Sequence, residues 1–314
     1  MGIRQSIPVE LRYTFQQFDR EFPTDAACLE RIKEQRFPGG ITLCQKCQKP
    51  RKHHRVTGRT AYACDRCGNH IFPLAGTIFE KSSTPLRIWF HAMYLIGSTR
   101  CGISAKQIQR ETGVTYKTAW RIFHQIRKLM GEELRLGGAG GAGVEMDEMY
   151  HGGRRKSEAG RKLKGDRGNK TMVTGIVERK GRIVARVSPE VTMSATNALV
   201  REYVLPETVI FTDDASSYHA LPKLEGMDYQ HKRISHSQKI YVAGDVHTNT
   251  IEGFWSLVKR GIGGVYHSVS AKYLQSYLDE YSFRYNRRDS GNLVFSALLA
   301  RVSEMSSHKP FSKA

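Results

Sequence analysis

The sequence predicts an α/β domain, a mixed sheet with flanking helices, preceded by a small metal-held ribbon and a helical region. Three observations in the 314 residues carry that prediction. Two CxxC pairs stand close together before residue 70, and short helices with a glycine-containing turn follow them. Beyond a glycine-rich stretch the pattern changes to three strands, a helix and a fourth strand. The length suits two or three domains with at least one sizeable core. With 49 Lys plus Arg against 30 Asp plus Glu the net charge is +19, so the expected partner is a polyanion. Nucleic acid is preferred to a membrane surface, because no apolar run approaches the roughly 20 residues of a span. The start, MGIRQSIPVELRY, lacks the apolar core of a signal peptide, so a cytosolic protein with no membrane partner is expected.

Residues 1–40 read as a helical segment. Apolar and charged positions alternate at helical spacing over residues 13–37, and Pro23, Thr24 and Asp25 mark a break between two short helices. Cys28 has no partner cysteine nearby and reads as a small buried apolar residue. Pro38, Gly39 and Gly40 end the segment.

Residues 41–80 read as a zinc ribbon. Cys44 and Cys47 are followed, after sixteen intervening residues, by Cys64 and Cys67. Each CxxC turn aims two sulfurs at one point, and a hairpin brings the turns together into a four-thiolate structural Zn²⁺ site. Six cysteines in a reducing compartment argue for metal over disulfides. Arg51, Lys52 and Arg55, with Lys49, Arg59, His53 and His54, are expected to form a basic edge facing phosphate. Such a module has little core of its own and should unfold on chelation.

Residues 84–136 read as a helical region containing a helix-turn-helix. LRIWFHAMYLIGS places Leu86, Trp89, Phe90, Met93 and Tyr94 on one buried face, with His91 as a packed or surface histidine. Ser104 caps a helix through Thr112, and Gly113 makes the turn. Thr115 then caps a second helix from Tyr116 to about Met130. Tyr116, Lys117, Thr118 and Arg121, near the start of that second helix, are the candidate contacts to a DNA major groove. A plain helical hairpin in a core is the alternative. GGAGGAG, residues 137–143, reads as a flexible linker and the domain boundary.

Residues 144–290 carry the candidate chemistry. VEMDEMY reads as a strand bearing Asp147. The loop 151–170 holds eight basic residues and is either a solvated excursion or a clamp on DNA. TMVTGIVER and GRIVARV form a hairpin, residues 192–204 a helix, and TVIFTDD a strand ending in Asp213 and Asp214. That order is the order of a ribonuclease H-like fold, in which the first and fourth strands are neighbours and their acids converge. Strand alternation favours Asp213 over Asp214 as the inward carboxylate. In HTNTIEGFWSLVKRG, Glu252 and Lys259 lie seven residues apart, so on a helix they share a face. Asn249 stands three residues before Glu252, which is also the spacing of a capping arrangement. Asp147, Asp213 and Glu252 would together offer oxygen ligands to two Mg²⁺ or Mn²⁺ ions about 4 Å apart. His236, His247 and His267 either assist proton transfer or pack the site wall. Residues 291–314 read as a C-terminal tail.

At the level of motifs the chain resembles the zinc-ribbon DDE transposases of bacterial insertion sequences, the ISXO-two-like group. The resemblance spans roughly residues 15–290. It rests on the CxxC pairs, GTIFE, PLRIWFHAMYL, GVTYKTAWRIF, VEMDEMYHGG, FTDDASSYHAL and the run from YVAGDVHTNTIEGFWSLVKRG to YSFRYNRR. It implies Asp147, Asp213 and Glu252 as the catalytic triad and Lys259 as a contact to DNA near the element's end. It further implies an enzyme that binds terminal inverted repeats and cuts and joins double-stranded DNA. Asn249 stands where some relatives carry a ligand, and Tyr273-Leu274 replaces the family's His-Leu. Paired transposon ends imply a homodimer or larger assembly on DNA, and a cytoplasmic, nucleoid-associated location. A zinc-ribbon repressor with an inert second domain and a nuclease that cuts without joining are the rival readings.

Overall fold

The computed structural model describes residues 8, 12–99, 101–152, 170–179, 181–188, 192–234, 248–290 and 294–304. The chain divides into two compact units, residues 1–129 with 289–314, and residues 130–288. Among the described residues no helix is long and apolar enough to cross a membrane.

The first unit contains the two expected short helices, α1 (Phe15–Glu21) and α2 (Asp25–Arg36). Thr14 and Thr24 cap them by accepting from Gln17 N and Ala27 N, and Gln17 returns the bond to complete a capping box. Cys28 is fully buried, and burial pushes its thiol up to about 12. The ribbon follows as β1 (Ile41–Cys44), β2 (Lys49–Arg55), β3 (Tyr62–Cys64) and β4 (His70–Ile71), an antiparallel sheet in chain order. Then come α3 (Leu86–Ser98), α4 (Ala105–Thr112) and α5 (Tyr116–Lys128). Ser104 and Thr115 cap α4 and α5, and Gly113, at φ +70°, closes α4 in the left-handed conformation that suits glycine.

The expected C-terminal tail is in part a helix, α9 (Val294–Glu304), and it belongs to this first unit. Phe295 is buried among Phe18, Phe22, Phe90 and Tyr94, with its ring 5.7, 5.8, 6.4 and 6.2 Å from theirs. Val294, Leu298, Leu299 and Val302 recur at helical spacing and are all buried, a face the reading as a tail overlooked.

The second unit is a five-stranded sheet between two helical layers. Its strands are β5 (Val144–His151), β6 (Thr171–Glu178), β7 (Ile183–Ser188), β8 (Val209–Asp213) and β9 (Gln230–Ile234), in the order β7-β6-β5-β8-β9. The first three pair antiparallel; β8 pairs parallel with β5 and with β9. On one face α6 (Met193–Tyr203) packs Val200 and Tyr203, with Val204 just after it, near Val144, Met146 and Ile176. On the other, α7 (Asn249–Gly261) and α8 (Ala271–Asn286) cover Met149, Val173 and Val177. This is the ribonuclease H-like arrangement expected, with β9 as a fifth strand beyond the four read from the sequence.

The glycine-rich stretch 137–143 belongs to this sheet's surroundings and is no free linker. The two units part at Leu129/Met130, ahead of it. Leu136 bridges to Val204, Gly137 N donates to Glu178 Oε1 and Gly138 N donates to Thr208 Oγ1. At Gly143, φ is +82°, and a Cβ would lie 2.7 Å from the Val209 carbonyl oxygen. These glycines serve close approach of backbone, a use that composition alone does not distinguish from flexibility.

Candidate active site and metal centre

Along β5 the side chains alternate between the two helical layers. Val144 and Met146 enter the α6 side, while Glu145, Asp147 and Met149 point toward α7. In the parallel pairing Val144 lies opposite Ile210 and Glu145 opposite Phe211; continued by two residues, that register sets Asp147 level with Asp213.

Asp147 is half-buried, and the indole Nε1–H of Trp255 donates to its Oδ2 at 3.1 Å. Burial raises its pKa above the ordinary aspartate value, and the nearby negative charges of Asp213 and Glu252 raise it further. Carboxylates from two other segments, β8 and α7, therefore lie near enough to act on Asp147. Asp213 accepts from Ala215 N at 3.0 Å through Oδ1, and Glu252 Oε1 accepts from Thr248 Oγ1 at 3.3 Å. Asp214 is exposed and its charge acts on His231. The donor set is all oxygen and anionic, which fits a hard divalent cation. It is an open set: among the described residues only the four ribbon cysteines bring their ligand atoms within 4.8 Å of one another.

Thr248 stands at the N-cap position of α7 but makes no side-chain capping bond, and Asn249 is the first helical residue, so the capping alternative for Asn249 is not met. Glu252 and Lys259 are both exposed on α7, two turns apart. His267 is exposed with φ +59°, while His236, His247 and most of the basic loop lie outside the described residues.

Several site residues escaped the sequence reading. Glu145 is fully buried and bonded to Thr250, Ile251 and Arg179. A carboxylate two residues before Asp147 on a buried strand was the available signal, since a buried charge requires partners. Gly175, opposite Asp147 on β6, leaves room for α7: a Cβ there would meet Trp255 Cζ2 at 2.6 Å and Ile251 Cδ1 at 2.7 Å. On the reverse face Tyr218 donates to Glu148 Oε1 at 2.5 Å. Burial, and after it the charges of Asp147 and Asp213, push the Glu148 carboxyl up to about 7.

The ribbon gathers its cysteines as the spacing predicts. Cys44 Sγ lies 3.5 Å from Cys67 Sγ, and Cys47 Sγ lies 4.0 Å from Cys64 Sγ. A tetrahedral ion with Zn–S bonds near 2.3 Å has sulfur–sulfur edges of about 3.8 Å, so this set fits structural zinc. Lys52 and Arg55 are exposed and Arg51 is half-buried. Arg55 lies over the Tyr62 ring. His53 is not on the basic edge: it is buried, with Nδ1 3.1 Å from the Arg51 carbonyl oxygen, because alternation along β2 turns it inward.

On α5, Tyr116 and Lys117 are exposed and Thr118 N donates to the Thr115 cap. Arg121 differs from its neighbours. Its Nη2 donates to Ser82 Oγ at 3.0 Å and Thr84 Oγ1 at 3.3 Å, and its guanidinium lies over the Trp89 ring, so it fastens α5 within its own unit. Trp120, not singled out from the sequence, is exposed beside His124.

Residues 136–286 match the model of the ISXO2-like transposase domain, and residues 23–70 match that of the transposase zinc-ribbon domain. The chain is 28% identical over 236 residues to an uncharacterized protein in transposable element ISH50 of Halobacterium salinarum, covering 71% of this chain and 77% of that protein. It is 27% identical over 110 residues to an uncharacterized transposase-like protein of Haemophilus influenzae, covering 35% of this chain and 85% of that one. Among solved structures, a chain of a pre-cleavage Mos1 transpososome aligns at 14% identity and a TM-score of 0.28, over 65% of this chain and 75% of that chain.

Proposed function

Because this chain belongs to the zinc-ribbon transposases with an ISXO2-like transposase domain, we propose that it binds the terminal inverted repeats of its insertion sequence and cleaves and joins DNA there. The observation that carries the reading is the placement of Asp147 and Asp213 level on the neighbouring strands β5 and β8, with Glu252 on α7 close enough that the charges of the other two bear on Asp147. A half-buried carboxylate whose pKa is raised by burial and by two further carboxylates nearby is an arrangement suited to positive charge.

Asp147, Asp213 and Glu252 would hold two Mg²⁺ or Mn²⁺ ions. When bound, such ions activate the attacking oxygen and stabilise the leaving oxygen of an in-line displacement at phosphorus. In the first step water attacks a phosphodiester at the element's end and the strand departs as a 3′-hydroxyl. In the second that hydroxyl attacks a target phosphodiester, whose own 3′-oxygen leaves. The two steps break and form the same kind of bond and need no further reactant. Lys259 is suited to a DNA phosphate on the exposed face that also carries Glu252. Lys52, Arg55, Tyr116 and Lys117 are suited to duplex contacts made by the first unit, and the +19 charge strengthens them at low salt. Arg51 and Thr118, half-buried, would contribute at the margins of those surfaces, and Arg121 by holding α5 in place. Paired ends call for two or more copies on DNA.

The test is a labelled duplex bearing the element's end, incubated with Mg²⁺ or Mn²⁺ and a target plasmid. Wild type should nick the end and yield joined products. Asp147→Ala, Asp213→Ala and Glu252→Ala should each bind the end and do neither. Cleavage that survives Asp147→Ala would sink the assignment; nicking without joined products would identify a nuclease.

A further inference from the structure

We propose that Glu145 is a positioning residue of the acidic site, holding the start of α7 on β5 and so setting where Glu252 stands relative to Asp147. The inference rests on the reading of those acids as a metal site. It starts from a missing local cap: Thr248 makes no side-chain capping bond to the backbone of α7. The orphan N–H groups of the first turn are met from the sheet instead, where Glu145 Oε2 accepts from Thr250 N at 2.8 Å and Ile251 N at 3.1 Å. Glu145 Oε1 accepts from Thr250 Oγ1 at 2.9 Å and from Arg179 Nε at 3.2 Å. The carboxylate is fully buried, so its bonds act in a low-dielectric setting and its charge suits the positive end of α7.

Geometry gives this capping a consequence for the site. Glu145 and Asp147 are two residues apart on one face of β5, and each grips α7, the first at Thr250 and Ile251, the second at Trp255. Glu252 lies between the two grips. Gly175 lets the helix come close enough for both. With the first grip weakened, α7 pivots on Trp255 and the third carboxylate loses its set position, although the three ligands themselves remain.

The experiment uses the full-length, zinc-loaded chain, comparing wild type, Glu145→Gln and Thr250→Val. Mn²⁺ binding is read by electron paramagnetic resonance, end cleavage is measured as a function of Mn²⁺, and amide exchange is followed at Thr250 and Ile251. Glu145→Gln should bind Mn²⁺ about tenfold more weakly and need correspondingly more for half-maximal cleavage. At saturating Mn²⁺ its cleavage rate should return to within a few-fold of wild type, with end binding unchanged and faster exchange at the two amides. Thr250→Val should shift in the same direction by a smaller factor, and it carries the test if Glu145→Gln does not fold. Equal Mn²⁺ affinity in wild type and the readable variant would overturn the proposal, whether or not cleavage fell. A wild type that neither binds Mn²⁺ at the acids nor cleaves would instead sink the functional reading, and this one with it.

Discussion

The ribbon and the acidic site are both suited to metal, yet their ligands are held in opposite ways. In the ribbon, four cysteines between Cys44 and Cys67 sit in two turns of a small sheet, and the ion itself would complete the fold. In the acidic site, Asp147, Asp213 and Glu252 come from three distant segments, each placed by a sheet and helix that have large apolar cores of their own. Metal would hold backbone in the first; backbone holds the proposed ligands in the second. Ligand loss should therefore damage structure in one and chemistry in the other.

The largest effect sharpens that contrast. Asp147→Ala or Glu252→Ala should lower end cleavage on the order of 10³-fold or more, since metal-assisted stabilisation of developing charge is worth several kcal/mol. Thermal melting of the zinc-loaded protein without Mg²⁺ or Mn²⁺ should not drop for Glu252→Ala, because removing that carboxylate relieves its repulsion of Asp147. A large fall in melting would mean that the acids are structural.

Zinc removal is the converse. A strong chelator, or Cys64→Ser, should release the ion and abolish amide protection over residues 41–71 while residues 171–188 stay protected. Hydrogen exchange with mass spectrometry reads both segments in one sample, and loss of protection in both would mean that the second unit also depends on the zinc. A smaller effect is expected at Gly175→Ala, whose new methyl must displace Trp255 or Ile251. Urea unfolding of the second unit should show a loss of about 1 to 3 kcal/mol, typical of overpacking. Unchanged stability would show that α7 is free to move off the sheet.

The smallest effect is a pH dependence in the first unit. Burial, with Arg127 and Lys128 nearby, pushes His124 down to about 4 from its ordinary 6.5. Between those values the unfolded chain binds the proton and the folded one does not, so stability rises with pH. The contribution is complete above about 6.5 and is lost as pH falls toward 4. His124→Gln should flatten that part of the stability profile; an unaltered slope would place the titration elsewhere.

The same contrast explains what the sequence made legible. Cys44, Cys47, Cys64 and Cys67 were readable because their geometry is encoded in spacing, as were the caps at Ser104 and Thr115. The placement of Asp147 and Asp213 on neighbouring strands was readable because strand order sets β5 beside β8. Glu145, Gly175 and Trp255 were not, since their roles depend on which face of β5 meets α7, a relation between residues about a hundred positions apart. Arg121 misled for a similar reason. Basic residues on a helix suit phosphate equally well from sequence, and only Ser82, Thr84 and Trp89 show that this one is engaged internally. The glycines of 137–143 and the helix at 294–304 misled because composition suggested freedom where packing imposes order.

Whether the three segments meet at one metal site can be read by metal-directed cleavage of the protein backbone. Fe²⁺ in place of Mg²⁺, with ascorbate and peroxide, generates short-lived radicals that cut the chain near the ion. Mass spectrometry should find cuts clustered near Asp147, Asp213 and Glu252, suppressed by excess Mg²⁺ and absent in Asp147→Ala. Cuts at only one of the three segments, or a pattern unchanged in Asp147→Ala, would mean that the three acids do not share an ion.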